Sequence, residues 1–323
     1  MAAPLRSAPR ICVVGSSNTD LIARLDRLPR PGETRSASTF TTAAGGKGAN
    51  QAVAAARAGG RVSFVARLGR DAYGDAALKG FRQEGLNVRH VSRDDQHPSG
   101  VALIWLGPRG VNSIAVVPGA NAQLTSAHVD QAQASLLRSQ VVLLQLESPL
   151  PTVERAAQLA HEAGIPVVLN PAPAQRLPGS LLRRITCLTP NETEAAYLTG
   201  LRVHSWASAD RAARRLRERG PTYVIITLGA RGVFVSGPDL HQPAPGIPVE
   251  AVDTVAAGDV FNGALAVAWA EGRPILEAVN FAQAAAAISV TRPGAQSSAP
   301  TRREILRTQA NALRRGRPEI KAN

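Results

Sequence analysis

The chain has 323 residues, 44% of them hydrophobic and 19% charged, which describes a folded globular protein and excludes a disordered or low-complexity one. Its formal net charge is +13, yet only three lysines occur (Lys47, Lys79 and Lys321) and the arginines are scattered along the chain. That dispersal reads as a compositional habit, so nucleic acid is not expected as a partner.

Aromatic residues make up 4% of the chain, so the core must be built from Ala, Val, Leu and Ile. The first ten residues, "MAAPLRSAPR", lack the apolar segment of a signal peptide, and no run reaches the roughly eighteen apolar residues of a membrane span. Cys12 and Cys187 both sit in apolar runs and read as buried free thiols of a reducing compartment. A cytoplasmic protein without a membrane partner is the expectation.

In chain order, short Val/Ile/Leu runs at 11–14, 62–66, 141–146, 165–169, 185–189 and 223–228 predict buried strands. Between them, Ala/Leu/Arg stretches predict helices at 48–58, 72–84, 126–138, 152–163, 192–199 and 207–219, with 259–270 and 276–290 following. This alternation predicts a Rossmann-like α/β fold, a mostly parallel central sheet with helices on both faces. Two segments break the rhythm. Residues 18–43 and 97–118 alternate in polarity, the second turning at Gly107-Pro108-Arg109-Gly110, and predict a small antiparallel β-sheet lid over a cleft. An edge extension of the main sheet fits the same pattern. No repeat or linker appears, so 1–323 reads as one domain. The last 23 residues, 301–323, carry seven basic residues and read as a solvated basic tail.

The chemistry concentrates where strands end. "VVGSSNTD" (13–20) carries Asn18 and Asp20 beyond the first strand, where open α/β sheets present ligands. Gly45-Gly46-Lys47-Gly48 then opens a helix that holds Asn50. It is not a phosphate-binding P-loop, because Gly48 replaces the required Ser or Thr. It is not a dinucleotide fingerprint, because Gln51 replaces the third glycine. A tight strand-to-helix turn would explain it equally well. Later strands run into Glu147, Asn170, Asn191 with Glu194, and Thr227 with Gly229. Short carboxylates and carboxamides suit a polyhydroxylated ligand, since a buried hydroxyl left unpaired costs about 1–3 kcal/mol. In "DTVAAGDVFNGAL", Asp259 follows Ala256, Ala257 and Gly258 at a helix start. A carboxylate there serves as a helix cap, or as a base beside amides that stabilise negative charge. Anion cradle plus base is the chemistry of phosphoryl transfer to an alcohol.

At these residues the sequence resembles the PfkB-like carbohydrate kinase family. "GGKGANQAVAAAR" and "AVDTVAAGDVFNGAL" are similar to its two signatures, and "LQLESP", "NPAPA", "TPNETEA", "ITLGARGV" and "TRPGAQSS" extend the resemblance over about residues 11–300. The resemblance implies ATP-dependent phosphorylation of D-ribose at its 5-hydroxyl, with 2-deoxyribose, pseudouridine or another sugar as alternatives and a non-catalytic basic binding protein as a more distant one. It implies Asp259 as catalytic base and the amides of Ala256, Ala257 and Gly258 as anion hole. Asn18, Asp20, Gly46, Lys47, Asn50 and Glu147 would hold the sugar. Asn191, Thr227, Gly229, Gly232 and Gln283 would hold ATP, and Glu194 would organise Mg2+ and phosphate through water. A K+ ion is implied at Asp253, Val255, Ser289, Arg292, Gly294 and Ser298, several through main-chain carbonyls. Lid strands pairing across a homodimer are implied too. Val260 departs from the Thr or Ser often found after the catalytic acid, and the family varies at Val255 and Gln283.

Overall fold

The computed structural model describes residues 8–108 and 111–315. Strand β1 (Arg10–Val14) is apolar on both faces because helices cover both. Ile11 and Val13 enter one core, and Cys12 and Val14 the other. The next two strands, β2 (Asn18–Arg24) and β3 (Thr39–Gly45), leave the main body. The chain returns through β4 (Arg61–Gly69) and β5 (Asn87–Asp94), departs again for β6 (Gly100–Leu106) and β7 (Asn112–Val117), and then alternates. β8 (Val141–Leu144), β9 (Val167–Leu169), β10 (Cys187–Leu188) and β11 (Tyr223–Thr227) follow, each after helical chain, and β12 (Gly232–Gly237) and β13 (Leu240–Pro245) form a closing hairpin.

The central sheet has nine strands in the order β13-β12-β11-β10-β9-β8-β1-β4-β5. β1 lies between β4 and β8, with Ile11 opposite Val62 and Val141, and pairing is parallel from β5 through β11. Only β12 and β13 run antiparallel, at the edge. The strand order reverses around β1, so the ends of β1 and β8 open a crevice for a ligand. β5, β12 and β13 were not expected from the sequence: "NVRHVSRD" is a half-exposed edge too polar to read as a buried strand.

The second sheet has the order β3-β2-β6-β7. The two lid segments therefore come together as one sheet, not as an edge of the main one. Its outer pairs are antiparallel, but β2 and β6 at its centre are parallel, because each leaves the main body in the same direction. β6 and β7 do pair as a hairpin; Arg109 and Gly110 of the expected turn lie outside the described residues. Phe40, Ile114, Val116 and Val117 on the edge strands are exposed.

Alanine-rich helices do the covering. The helices Lys47–Arg57 and Ala257–Ala270 pack so closely that a Cβ on Gly263 would fall 2.7 Å from the Gln51 carbonyl oxygen and 2.8 Å from Ala54 Cβ. Asp259 lies one turn before Gly263 on the same helix face. Small residues at this crossing thus set the acid against Asn50 and Gln51. The expected helix 126–138 is two shorter pieces, Ser126–Gln131 and Gln133–Leu136, divided at Ala132, whose amide is shared between the carbonyls of His128 and Val129. The basic tail is corrected in part: Arg302–Arg315 is a helix, anchored by buried Ile305, and residues 316–323 lie outside the described ones. Among the described residues no helix is long and apolar enough to cross a membrane.

Candidate active site

The glycine run 45–48 exists because backbones touch. A Cβ on Gly46 would lie 2.6 Å from the Asn18 nitrogen and 2.7 Å from Ser17 Cα, and one on Gly48 would lie 2.4 Å from the Ser16 nitrogen. Gly45 clears space for the Asp20 carboxylate, 2.4 Å from where its Cβ would stand. Gly46 also has φ 86°, a conformation that favours glycine. The loop after β1 and the start of the helix Lys47–Arg57 are thereby pressed together at the crevice. Glu147 clamps them from beyond β8, its Oε2 accepting from Ser16 Oγ at 2.6 Å and the Lys47 amide at 2.9 Å. Asn18 is oriented by Asn121, whose Nδ2 donates to Asn18 Oδ1 at 2.8 Å, in space that Gly100 leaves by having no Cβ.

Asp259 is 5% exposed. Its two oxygens accept from Asn50 Nδ2 at 3.0 Å and from Gln51 Nε2 at 2.9 Å. Because a carboxylate only accepts, both side chains must present nitrogen to it. Gln51 Oε1 then faces away and accepts from Gln145 Nε2 at 2.6 Å, while Gln51 Nε2 also reaches Asn170 Oδ1 at 3.2 Å. Asn50 Oδ1 is left buried with no partner among the described residues. Below the acid, Asn262 ties its own helix turn to the sheet, donating to the Gly258 carbonyl at 2.8 Å and accepting from Thr189 Oγ1 at 2.6 Å.

The electrostatics are crowded. Burial pushes Asp259 above the usual carboxylate range, against the pull of Lys47, Asn50 and Gln51. Asp20 is pushed up to about 6, by burial first and then by the charges of Glu147 and Asp259. Glu194 is raised by burial as well. Burial pulls Lys47 down, but the carboxylates of Asp259, Glu147 and Glu194 outweigh it and leave the ammonium above its ordinary value. One cation thus sits among acids on both sides of the crevice.

The helix carrying Asp259 starts at Ala257, two residues before the expected position. Ala256 precedes it with φ 59°, the only non-glycine residue of positive φ among the described residues. That turn leaves the first residues of the helix at the surface, with Gly258 exposed. The Ala257 amide touches the Thr254 carbonyl at 3.3 Å, while those of Ala256 and Gly258 have no partner among the described residues. Free amides at a helix start attract anions.

Of the residues assigned to the nucleotide, Asn191 and Thr227 are neighbours in a parallel bridge that extends β10 beside β11. Gly229 has φ 58° and open space around it, and Gly232 has φ 105° with no room for a Cβ. Asn191 caps the helix Glu192–Thr199 through a reciprocal pair: its Oδ1 accepts from the Glu194 amide at 2.8 Å, and Glu194 Oε2 accepts from the Asn191 amide at 2.8 Å. With Asn191 Nδ2 also on Glu194 Oε1 at 2.9 Å, the "NETE" pattern has a sufficient local reason as a capping box. Gln283 is buried, and its Oε1 has no partner among the described residues. In the proposed cation loop, Asp253 joins two segments, accepting from the Val255 amide at 3.0 Å and the Gly294 amide at 2.9 Å. The Ser289 carbonyl accepts from the Arg292 amide at 3.0 Å, and Ser298 Oγ donates to the Ala295 carbonyl at 2.8 Å.

Sequence reasoning missed Gln51, Gln145, Ser16 and Asn121, which hold the expected residues rather than face the crevice. Gln51 had a signal: a large polar residue one position after Asn50 in an alanine helix, 0% exposed, needs polar partners.

A buried carboxylate and a helix start with unpaired amides meet here at the carboxyl ends of a doubly wound sheet, an arrangement that suits a small-molecule kinase. The model of the pfkB family of carbohydrate kinases matches residues 8–302. The chain belongs to that family. It is 47% identical over 296 residues to the ribokinase of Haemophilus influenzae, covering 92% of this chain and 97% of that protein. It is 38% identical over 292 residues to a deoxyribokinase of Salmonella typhi, covering 90% and 95%. Among solved structures, Arabidopsis thaliana ribokinase complexed with ribose and ATP superposes with a TM-score of 0.88 at 35% identity, covering 94% of this chain and 99% of that one.

Proposed function

We propose that this chain is a single kinase domain that transfers the γ-phosphate of ATP to the 5-hydroxyl of D-ribose. The observation that carries the reading is the setting of Asp259: buried, held by two amides, one residue from an exposed helix mouth, and facing Lys47 and the acids Asp20 and Glu147. Asp259 takes the hydroxyl proton as the oxygen attacks phosphorus, and the amides of Ala256, Ala257 and Gly258 stabilise the charge that develops. Asn18, Asp20, Gly46, Lys47, Asn50 and Glu147 bind the sugar. The partnerless Asn50 Oδ1 suits a hydroxyl donor, and Asp20 and Glu147 offer further acceptors. Asn191, Thr227, Gly229, Gly232 and Gln283 take the nucleotide, and the Gln283 Oε1 supports this by lacking a partner.

Mg2+ fits as an ion carried mainly by the phosphates: both Glu194 oxygens already accept from Asn191, so Glu194 acts on it through water. It neutralises phosphate charge. K+ fits the loops that Asp253 ties together, with Val255, Ser289, Arg292, Gly294 and Ser298 offering carbonyl and hydroxyl oxygens of the hard-donor type. The exposed apolar residues on β3 and β7 support a homodimer through the small sheet, and the cytoplasm is the compartment we assign to it. ADP release with D-ribose and MgATP, with and without K+, tests the reading. The expected result is ribose-dependent release that K+ increases. Release no faster with ribose than without it would overturn the assignment. A second reading, 2-deoxyribose as acceptor, has the Salmonella typhi relative in its favour, and a higher kcat/KM for 2-deoxyribose in the same assay would select it.

A further inference from the structure

A cavity of ligand size lies well away from Asp259. It is a hollow of about 490 Å³, open to solvent, at the opposite end of the sheet, where β1 and β4 begin, and Arg10, Arg61 and Arg138 line it with Ser63, Asn87 and Ser139. No carboxylate lines it. None of the three guanidinium groups has an ion-pair or hydrogen-bond partner among the described residues, whereas Arg27, Arg35, Arg57, Arg67 and Arg70 are all paired with acids. His90, which meets Ser135 of the cavity wall at 2.9 Å, is held below the ordinary imidazole value by burial and then by the charges of Arg89 and Arg138.

Cations also suit the carboxyl ends of helices, and the helices Lys47–Arg57 and Ala72–Gln83 end just before Gly60 and Gly85 of this cavity. Such pairing needs only the surface, however. It does not call for a concavity of ligand size whose ionisable walls are all arginine. Guanidinium groups fork onto phosphate oxygens with two parallel bonds, and hydroxyl and carboxamide groups beside them suit the remaining polar atoms of a small metabolite. Ligand sites commonly span about 300–1,000 Å³, which this cavity matches.

From this we infer that the cavity is a second ligand site, for a small phosphorylated anion of sugar-phosphate or nucleoside-phosphate size, separate from the kinase crevice. Pyrophosphate is the probe. It is titrated calorimetrically into the full chain already saturated with a non-hydrolysable ATP analogue, so that the nucleotide site is occupied. The expected result is one further binding event whose Kd rises about tenfold to a hundredfold in the Arg61→Gln/Arg138→Gln double variant, since hydrogen bonds to charged groups are worth about 1.5–3 kcal/mol. Both arginines are exposed and unpaired, so the variant keeps the wild-type unfolding midpoint and the wild-type affinity for the ATP analogue. Absence of the extra event in the wild type, or equal affinity in the folded double variant, overturns the inference.

Discussion

Replacing Gln51 with leucine removes the amide that donates to Asp259 at 2.9 Å while leaving a side chain of similar bulk in the helix. A hydrogen bond to an ionised group is worth about 1.5–3 kcal/mol. Taken from the charged form of Asp259 alone, it raises the carboxyl pKa further by about one to two units, at about 1.36 kcal/mol per unit. A general base works only when ionised, so activity falls as pH drops through that pKa, and the acid limb of kcat moves to higher pH by the same one to two units or so. The substitution also strips Gln145 Nε2 and Asn170 Oδ1 of partners at 2.6 and 3.2 Å, which lowers stability by about 1–3 kcal/mol for each buried group left unsatisfied. Gln51→Glu separates the two effects. Its carboxylate still accepts from Gln145, yet it sets a second acid against Asp259 and moves the limb at least as far. The assay is coupled ADP release over about pH 5–9, with circular dichroism confirming the fold at each point. An acid limb unmoved in both folded variants would refute the claim that Gln51 tunes the base.

Asp259→Asn lowers kcat by about 10²–10⁴-fold while sugar affinity, read by calorimetry, stays within a few fold; near-normal turnover would remove Asp259 from the base role. Asp20 has a folded pKa of about 6 against an ordinary 3.8, so the native state holds its proton more tightly than the unfolded chain. That contribution favours folding below about pH 4 and is lost as pH rises to about 6, by at most about 3 kcal/mol. Asp20→Asn should therefore raise the unfolding midpoint at pH 8 or so and weaken ribose binding, and a lowered midpoint would contradict the assigned burial. In the wild type, ribose affinity should fall as pH drops below about 6, because a protonated Asp20 loses an acceptor. Gly46→Ala forces a Cβ into the Asn18 backbone at φ 86° and should cost about 1–3 kcal/mol in chemical denaturation, with a raised KM for ribose. Unchanged stability would mean that the loop has room the contacts deny.

Much of this was legible in one dimension. Buried parallel strands are continuous apolar runs, and the six expected ones, from "ICVV" to "VIIT", all formed because nothing but a two-sided core accepts such sequences. The glycine run and the acid at 259 were readable because each violates its surroundings: flexible residues before a helix, and a charge in an oily one. Which distant side chains meet was not readable. Gln51 and Gln145 are 94 positions apart, and Asn50 and Asp259 are 209 apart, so no local pattern relates them.

The chain's own order of residues determined the buried parallel strands, most of the helices that cover them, the glycine turns and the chemical types available at the crevice, because those depend on side-chain periodicity and backbone freedom over a few residues. Only the folded structure decided that β2 and β6 would run parallel, that Arg302–Arg315 would be a helix, and that Gln51 would hold Asp259. Those outcomes depend on which distant surfaces meet, and at the Gly263 crossing it is the lack of a single Cβ that lets them meet closely enough.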